Sequence, residues 1–529
     1  MTRTPSVAAF EREFGACLGK GDLAAAALAA RACRDAWPFT PAGWLMGSII
    51  ALFTGDPRTA LRLIEEPLRT RPIHAQCLLQ KAECLLALGE RRAALIAAED
   101  AAAHSGDVPE SLEAVGEFMI QAGEQRRALP LYDHAMTLVG GDREQRARLL
   151  ANRGLTHQYV GNLELAERDY EAMLAIDPLV PTAFKGLVGL RRQTHERNWI
   201  AQMKRALERL PAASDHAVLV HFALAKSYDD LGDYRLSWEH LSAGNRIERT
   251  FINYDLAFDR ELMQALTELI TADEARPESG AAESPIFIVG LPRSGSTLIE
   301  RILSNHPQTR QGGELTAVTD AILAFTGIVP GPGADARDYA ARLAALDGRA
   351  LAAEYLARTR AIRPEGMRWT DKQLSNFIYC PLLLRAFPRA RIVHITRHPL
   401  AACYAIYRTR FGGGYPFAYD LAEITDFYIA YRRLMQHWQR ILGERILEFP
   451  YEEVVTSFEP SVRRLLEHVG LPFDAACLEF HRNPAPVITA SSVQVRQPLY
   501  ASALEQWKHY EAWLAPARER FERAGIALD

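Results

Sequence analysis

Residues 285–303 read Pro285-Ile286-Phe287-Ile288-Val289-Gly290-Leu291-Pro292-Arg293-Ser294-Gly295-Ser296-Thr297-Leu298-Ile299-Glu300-Arg301-Ile302-Leu303. The run Pro285–Val289 is apolar, partly β-branched and too short for a helix, which matches a buried strand. Gly290 to Thr297 is a loop of glycines and hydroxyls, and the apolar residues Leu298, Ile299, Ile302 and Leu303 predict a helix after it. A strand, a glycine-bearing loop and a helix in that order bind phosphate. Loop amides and the helix N-terminus point at the anion, and the hydroxyls of Ser294, Ser296 and Thr297 add donors. A nucleoside-triphosphatase loop would read G-x-x-x-x-G-K-[ST]. Here the two glycines have that separation, but Ser296 stands where the lysine belongs, and Arg293 lies inside the loop instead. Without the lysine, hydrolysis of ATP or GTP loses a main electrostatic element. The loop suits a nucleotide with a shorter, metal-free anionic tail.

Working downstream, Arg391–Thr396 and Arg445–Phe449 are further short apolar runs with helical stretches between them, so βαβ units and a parallel sheet are expected. The first of these runs ends in Arg397, not in an aspartate that would help hold magnesium. Working upstream, Thr271 to Ser284 (TADEARPESGAAES) is acidic and small and carries proline and glycine, which reads as a linker.

Before that linker the pattern is different. Glycine followed by an acidic or polar residue recurs at Gly21-Asp22, Gly55-Asp56, Gly89-Glu90, Gly123-Glu124, Gly161-Asn162 and Gly232-Asp233, with the first four spaced 34 residues apart. The last interval leaves room for one degenerate unit near Glu196-Arg197-Asn198. Five residues after each glycine stands a small residue: Ala26, Ala60, Ala94, Ala128, Ala166 and Ser237. A period near 34, a glycine turn and a small residue at a helix crossing form the pattern of tetratricopeptide repeats. Such a solenoid has a concave groove suited to a peptide or partner protein and no chemistry of its own. The expected organisation is a helical solenoid over 1–270, a linker over 271–284 and an α/β domain with a central parallel sheet over 285–529.

The chain has 529 residues, enough for two or more domains. Lys+Arg 61 against Asp+Glu 65 gives a net charge of -4, which argues against a general nucleic-acid or anionic-membrane binder. No apolar run reaches membrane-spanning length, and the first residues are charged too early for a secretory segment. Seven scattered cysteines without a C-x-x-C pair read as reduced thiols, so a cytoplasmic location is expected.

The stretch PIFIVGLPRSGSTLIERILSNHP resembles the 5′-phosphosulfate loop of sulfotransferases, and RIVHITRHPL resembles their 3′-phosphate element. The whole span from about 285 to 515 is similar to tetratricopeptide-repeat sulfotransferases, whose catalytic domain is akin to protein-tyrosine sulfotransferases. Gly312-Gly313-Glu314-Leu315, Thr370-Asp371-Lys372, Pro450-Tyr451-Glu452-Glu453 and Ser492 to Pro498 match in order.

The resemblance implies 3′-phosphoadenosine 5′-phosphosulfate as donor and co-substrate, with no metal. It implies that Pro292, Arg293, Ser294, Gly295, Ser296 and Thr297 hold the 5′ side, that Arg397 holds the 3′-phosphate, and that Ser491, Arg496 and Gln497 close over the nucleotide. Glu314 is the implied base for the acceptor hydroxyl, with Arg293 and Lys372 as cations for the transferring group. The expected acceptor is a protein or peptide tyrosine, held by the repeat groove; a saccharide or small-molecule hydroxyl is the alternative. Two positions depart from the family pattern: Ala405 stands where a serine shares the 3′-phosphate, and Gln497 where the tyrosine sulfotransferases carry lysine. A non-catalytic scaffold and a phosphate-loop kinase or triphosphatase are the rival readings. Ala405 favours the scaffold and Ser296 disfavours the kinase.

Three features carry less. The aromatic segment Phe411 to Tyr419, with Gly412-Gly413-Gly414, reads either as a mobile wall over the acceptor or as a loop whose rings pack on the core. His394 and His398 read as packing or loop-bonding residues. Cys380 and Cys403 read as small core residues.

Overall fold

The computed structural model describes residues 5–273, 281–360, 362–363, 366–483 and 502–528. The chain divides into two compact units, Met1–Ala172 with Arg360–Ile362, and Met173–Thr359 with Arg363–Asp529.

The first unit is built of consecutive packed helix pairs: Val7–Gly19 with Leu23–Ala36, Pro41–Phe53 with Pro57–Thr70, Ala75–Ala87 with Arg91–Ala103, and Pro109–Gln121 with Gln125–Leu138. The glycine-acid signature has a local cause. Gly55 closes its helix in the left-handed region at φ 79°, which would strain a residue with a Cβ. Asp56 then caps the next helix by accepting from Thr59 N at 3.0 Å. Asp22 does the same for Ala25 N. The small residues five positions after each glycine are wholly buried, Ala26, Ala60, Ala94 and Ala128 among them, which permits close helix approach. At Gly116 an added Cβ would stand 2.6 Å from the Tyr132 ring, so the first helix of that pair rests its backbone on an aromatic of the second. The region is a tetratricopeptide-type helical repeat.

The second unit opens with helices of the same kind. The degenerate repeat is an irregular link between Pro181–Leu190 and Ile200–Leu207, followed by the long pair Asp215–Leu231 and Tyr234–Thr250. Gly232 is again left-handed, Asp233 caps Leu236 N, and Ser237 is buried at the crossing.

The sheet follows: β1 (Ile286–Gly290), β2 (Thr309–Arg310), β3 (Arg368–Asp371), β4 (Arg391–Thr396) and β5 (Ile446–Pro450), in the order β2-β3-β1-β4-β5. Every pairing is parallel, and β1 lies in register with β4 from Ile286↔Arg391 to Gly290↔Ile395. The chain runs outward from β1 to one edge and returns to β4 on the other side. The carboxyl ends of β1 and β4 therefore form the crevice where open parallel sheets bind ligands. β2 and β3 were not among the expected strands. Thr-Arg and Arg-Trp-Thr-Asp contain no apolar run, and only pairing within the sheet makes them strands.

Side chains of the long helix pair are built into the sheet-bearing unit. Asp229, almost buried, accepts from Arg408 Nη2 at 3.1 Å, Gln506 Nε2 at 2.7 Å and the Tyr510 hydroxyl at 2.6 Å. Asn245 donates to Tyr407 O at 3.0 Å, Arg249 pairs with Glu423 through two bonds of 2.8 Å, and Arg410 bonds Glu248 at 2.9 Å and also Asp215. Breaking a buried charge pair by removing one partner typically costs about 3–5 kcal/mol. A fragment starting near residue 173 is therefore expected to melt cooperatively. A fragment starting at residue 285 leaves Arg408, Arg410 and Tyr510 without these partners and should aggregate or lose its calorimetric transition. Equal melting of the two fragments in scanning calorimetry would contradict this.

Candidate active site

The loop after β1 is shaped by three residues. At Gly290 a Cβ would stand 2.5 Å from the Ile395 carbonyl oxygen of β4. At Gly295, φ 98°, it would overlap Cδ2 of Tyr451, which packs under the loop. Between them Arg293 adopts φ 65°, and among the described residues no other non-glycine has a positive φ. A residue with a Cβ is held there at a cost of about 1–3 kcal/mol, and such strain clusters at functional sites. The turn presents the Arg293 carbonyl to Arg397, whose Nη1 donates to it at 2.9 Å. The Arg397 guanidinium in turn lies over the Tyr451 ring, 5.1 Å from its centroid. Pro292, Ser294, Ser296 and Thr297 are buried around the turn. The helix Ser296–Ser304 begins with no side-chain cap. An uncapped, positively polarised helix end among buried hydroxyls and two arginines fits an anionic phosphate or phosphosulfate group.

The opposite wall is fastened to the same helix. Glu300, one turn in and almost fully buried, accepts from Gly313 N at 2.9 Å, Thr370 Oγ1 at 2.9 Å and Gln311 Nε2 at 3.2 Å. Gly312 N donates to Thr370 Oγ1 at 3.1 Å, and a Cβ there would overlap the Thr370 carbonyl oxygen. Lys372 N, just past β3, donates to Gly313 O at 2.9 Å. These bonds set Lys372 Nζ 2.5 Å from Glu314 Oε1. The lysine side chain is 2% exposed and the glutamate 51%. Asp371 is not the lysine's salt-bridge partner: it accepts from Gln373 N at 3.0 Å and the Tyr355 hydroxyl at 3.1 Å.

The aromatic segment divides between its two readings. Phe417 is stacked on Phe427 with centroids 3.8 Å apart and belongs to the core. Tyr415 faces Glu314: burial, then the nearby carboxylate, push its phenol above the usual range. Gly412 and Gly413 are exposed and left-handed. His394 is buried and bonded to the Tyr431 hydroxyl, and burial with Arg432 nearby lowers its imidazole to about 3, so it is neutral near pH 7. His398 caps its own helix at Ala401 N and stacks on Trp507, 4.6 Å between centroids.

Ser491, Arg496 and Gln497 lie outside the described residues. The chain before them is held at Asn483, which bonds Asn305 at 2.6 Å and receives a bond from Arg301. The chain after them returns through Trp507, beside the residue following Arg397. Ala405 sits in the helix Pro399–Tyr407 and is mostly buried. Ser304 donates to Arg301 O at 3.1 Å, and Tyr404 is stacked on Tyr510 with centroids 4.4 Å apart.

The structure thus forms two pairs, Arg293 with Arg397 and Glu314 with Lys372, joined through the helix Ser296–Ser304. Sequence reasoning missed Glu300, whose place in the apolar-spaced run LIERIL reads as a solvent-facing helix position. Tyr451 stands in the sequence only as part of the run Pro450-Tyr451-Glu452-Glu453. Among the described residues, no group of three or more His, Cys, Asp or Glu is placed to hold a metal ion, and no helix is long and apolar enough to cross a membrane.

A parallel sheet with an uncapped glycine loop, arginines on its floor and an acid-lysine pair nearby is an arrangement suited to a phosphate group. Residues 285–475 match the model of the sulfotransferase family, so this region is a sulfotransferase-family domain, here preceded by tetratricopeptide-type helical pairs. The chain is similar to an uncharacterized protein of Aquifex aeolicus (strain VF5), 30% identical over 392 residues, which make up 71% of this chain and 51% of that protein. It is also similar to a protein-tyrosine sulfotransferase of Drosophila melanogaster, 25% identical over 266 residues, 46% of this chain and 51% of that one. The chain spans about half the length of each of these two relatives. Among solved structures, the sulfotransferase domain of the Synechococcus PCC 7002 olefin synthase aligns at 19% identity and a TM-score of 0.32, over 44% of this chain and 91% of that domain.

Asp371 gives a pH test of the site's core. Burial, opposed by its bonds to Gln373 and Tyr355, raises this carboxyl from 3.8 to about 7. The folded protein then keeps a proton that the unfolded chain releases, so this group's contribution to stability falls as pH rises from about 4 to 7 and levels off above. Asp371→Asn should flatten that stretch of the melting-temperature profile. An unchanged slope would mean the carboxyl is ionised throughout.

Proposed function

We propose that this protein transfers a sulfuryl group from 3′-phosphoadenosine 5′-phosphosulfate to an acceptor hydroxyl, and that the acceptor is a protein or peptide tyrosine. The observation that carries the reading is the Glu314–Lys372 pair, fastened through Glu300 to the helix of a phosphate loop that lacks the triphosphatase lysine. The donor supplies an activated sulfuryl group on a 5′-phosphate leaving group. Pro292 to Thr297 would receive the 5′ side through loop amides and hydroxyls, and Arg397 the 3′-phosphate, with Ser491, Arg496 and Gln497 closing over the nucleotide. Arg293 and Lys372 would neutralise charge on the moving group and the departing phosphate, the larger electrostatic part of such catalysis.

A tyrosine hydroxyl ordinarily ionises near pH ~10, so attack needs a base. Glu314, the half-exposed member of its pair, would take that proton. Similarity to a protein-tyrosine sulfotransferase and the repeat's suitability for extended peptides support a polypeptide acceptor. Seven cysteines outside any disulfide, six of them buried, support a cytoplasmic, reducing setting.

Adenosine 3′,5′-bisphosphate without magnesium should raise the melting temperature more than Mg-ATP does. The reverse order would remove the sulfotransferase reading. Glu314→Ala should lower turnover by about 10²–10⁴-fold while bisphosphate affinity stays near wild type; loss of both together would make Glu314 structural. Arg397→Ala should instead weaken bisphosphate binding by roughly 1.5–3 kcal/mol, the worth of a charged hydrogen bond. Labelled donor incubated with a host lysate distinguishes the acceptors: label in protein supports tyrosine, and label in glycan or small molecule overturns that choice.

A further inference from the structure

Away from the loop, a cavity of about 280 Å³ is lined by Arg260, Asp426, Ile429, Ala430, Arg433, Arg520, Arg523 and Ala524. Three helices each give one face to it. Leu421–Leu442 contributes residues 426, 429, 430 and 433, spaced as one helical stripe, the C-terminal helix Ala515–Arg523 and the residue after it contribute 520, 523 and 524, and Leu256–Leu269 contributes Arg260. Four guanidiniums thus meet one carboxylate. Among the described residues, Asp426 engages Arg520 alone, through Nη1 at 2.9 Å to both oxygens, which leaves Nε and Nη2 of that arginine outside the bond. Among the described residues Arg260, Arg433 and Arg523 form no ion pair, and Arg523 instead donates to Glu519 O at 3.2 Å.

Offsetting a helix dipole accounts for part of this. Arg520 and Arg523 lie in the last turn of their helix, where cations are favoured. It does not account for Arg433, in the middle of its helix, or for Arg260, toward the N-terminal end, where the dipole does not favour a cation. Like charges gathered on a cavity repel one another, and a bound anion removes that repulsion. The arginines converge on one small hollow and do not form a strip, which matches a compact multivalent anion better than a polymer. Planar guanidinium forks suit phosphate oxygens.

We propose that this cavity is a second anion site, separate from the phosphate loop, which takes a small di- or trivalent phosphate. Free inorganic phosphates and the phosphate end of a small ester share that chemistry. The proposal does not depend on the activity proposed above.

The test is calorimetric titration of the full chain carrying Arg397→Ala, so that binding at the loop is weakened. Probes are inorganic pyrophosphate, inorganic phosphate and a nucleoside monophosphate, without metal. At least one should bind with an affinity that falls as salt is raised. Adding Arg433→Gln with Arg523→Gln, both exposed positions, should weaken that binding at least tenfold with the melting temperature unchanged. Tighter binding of the monophosphate than of the inorganic ions assigns the site to an ester, and the reverse order to a free phosphate; either supports it. No binding by any probe, or equal affinity in the glutamine variant, overturns it. So does a polyglutamate peptide that binds the arginines and is not displaced by excess pyrophosphate.

Discussion

A buried carboxylate is tolerated only when its oxygens are satisfied, and Glu300 meets that condition by tying together three separate pieces of chain. Its helix begins at the glycine loop after β1, Thr370 belongs to β3, and Gln311 and Gly313 precede Glu314. Each bond would be modest alone. Together they make the position of Glu314 a consequence of where the loop helix lies. The contact also explains the glycines: Gly312 lies so near the Thr370 carbonyl that no Cβ fits. The two walls of the site thus share one anchor, and neither can shift far without stranding a buried acid.

A second anchor sets the border of the working unit. Asp229 lies on a helix of repeat type, yet its three partners, Arg408, Gln506 and Tyr510, all come from far along the chain. Arg408 and Arg410 follow the helix that begins just after Arg397, so the last repeat pair holds the segment leading away from β4. Trp238, on the same pair, adds ring contacts with Tyr407 and Trp513 at 5.2 and 5.8 Å. This pair carries polar and aromatic side chains where a purely structural repeat would need only small and apolar ones.

Much of this was legible in the sequence because it is local. A left-handed glycine, a capping acid and a small residue at a crossing all lie within six positions, and strand, loop and helix follow one another without a break. What escaped is non-local. β2 and β3 are strands only through their neighbours. Glu300 meets Gly313 and Thr370 across 13 and 70 positions, and the repeat-to-sheet bonds of Asn245 and Tyr510 span 162 and 281. The pattern of the sequence changes at 271–284, whereas compactness divides the chain at Ala172–Met173. A change of periodicity records how each segment was built, and compactness records which side chains later paired.

The two members of the Glu314–Lys372 pair differ sharply in burial. A lysine with almost no exposure needs a counter-charge, and the half-exposed glutamate supplies it. Separating the two would leave the buried ammonium unpaired at greater cost than the half-exposed carboxylate. On the proposed reading, an anion entering the loop beside the lysine would compete for that ammonium and free the Glu314 carboxylate to turn to the acceptor hydroxyl. Tyr415 lies near enough to feel the glutamate's charge. Glu314 would then be released only once the group to be transferred is in place, an order that follows from the unequal burial of the two side chains.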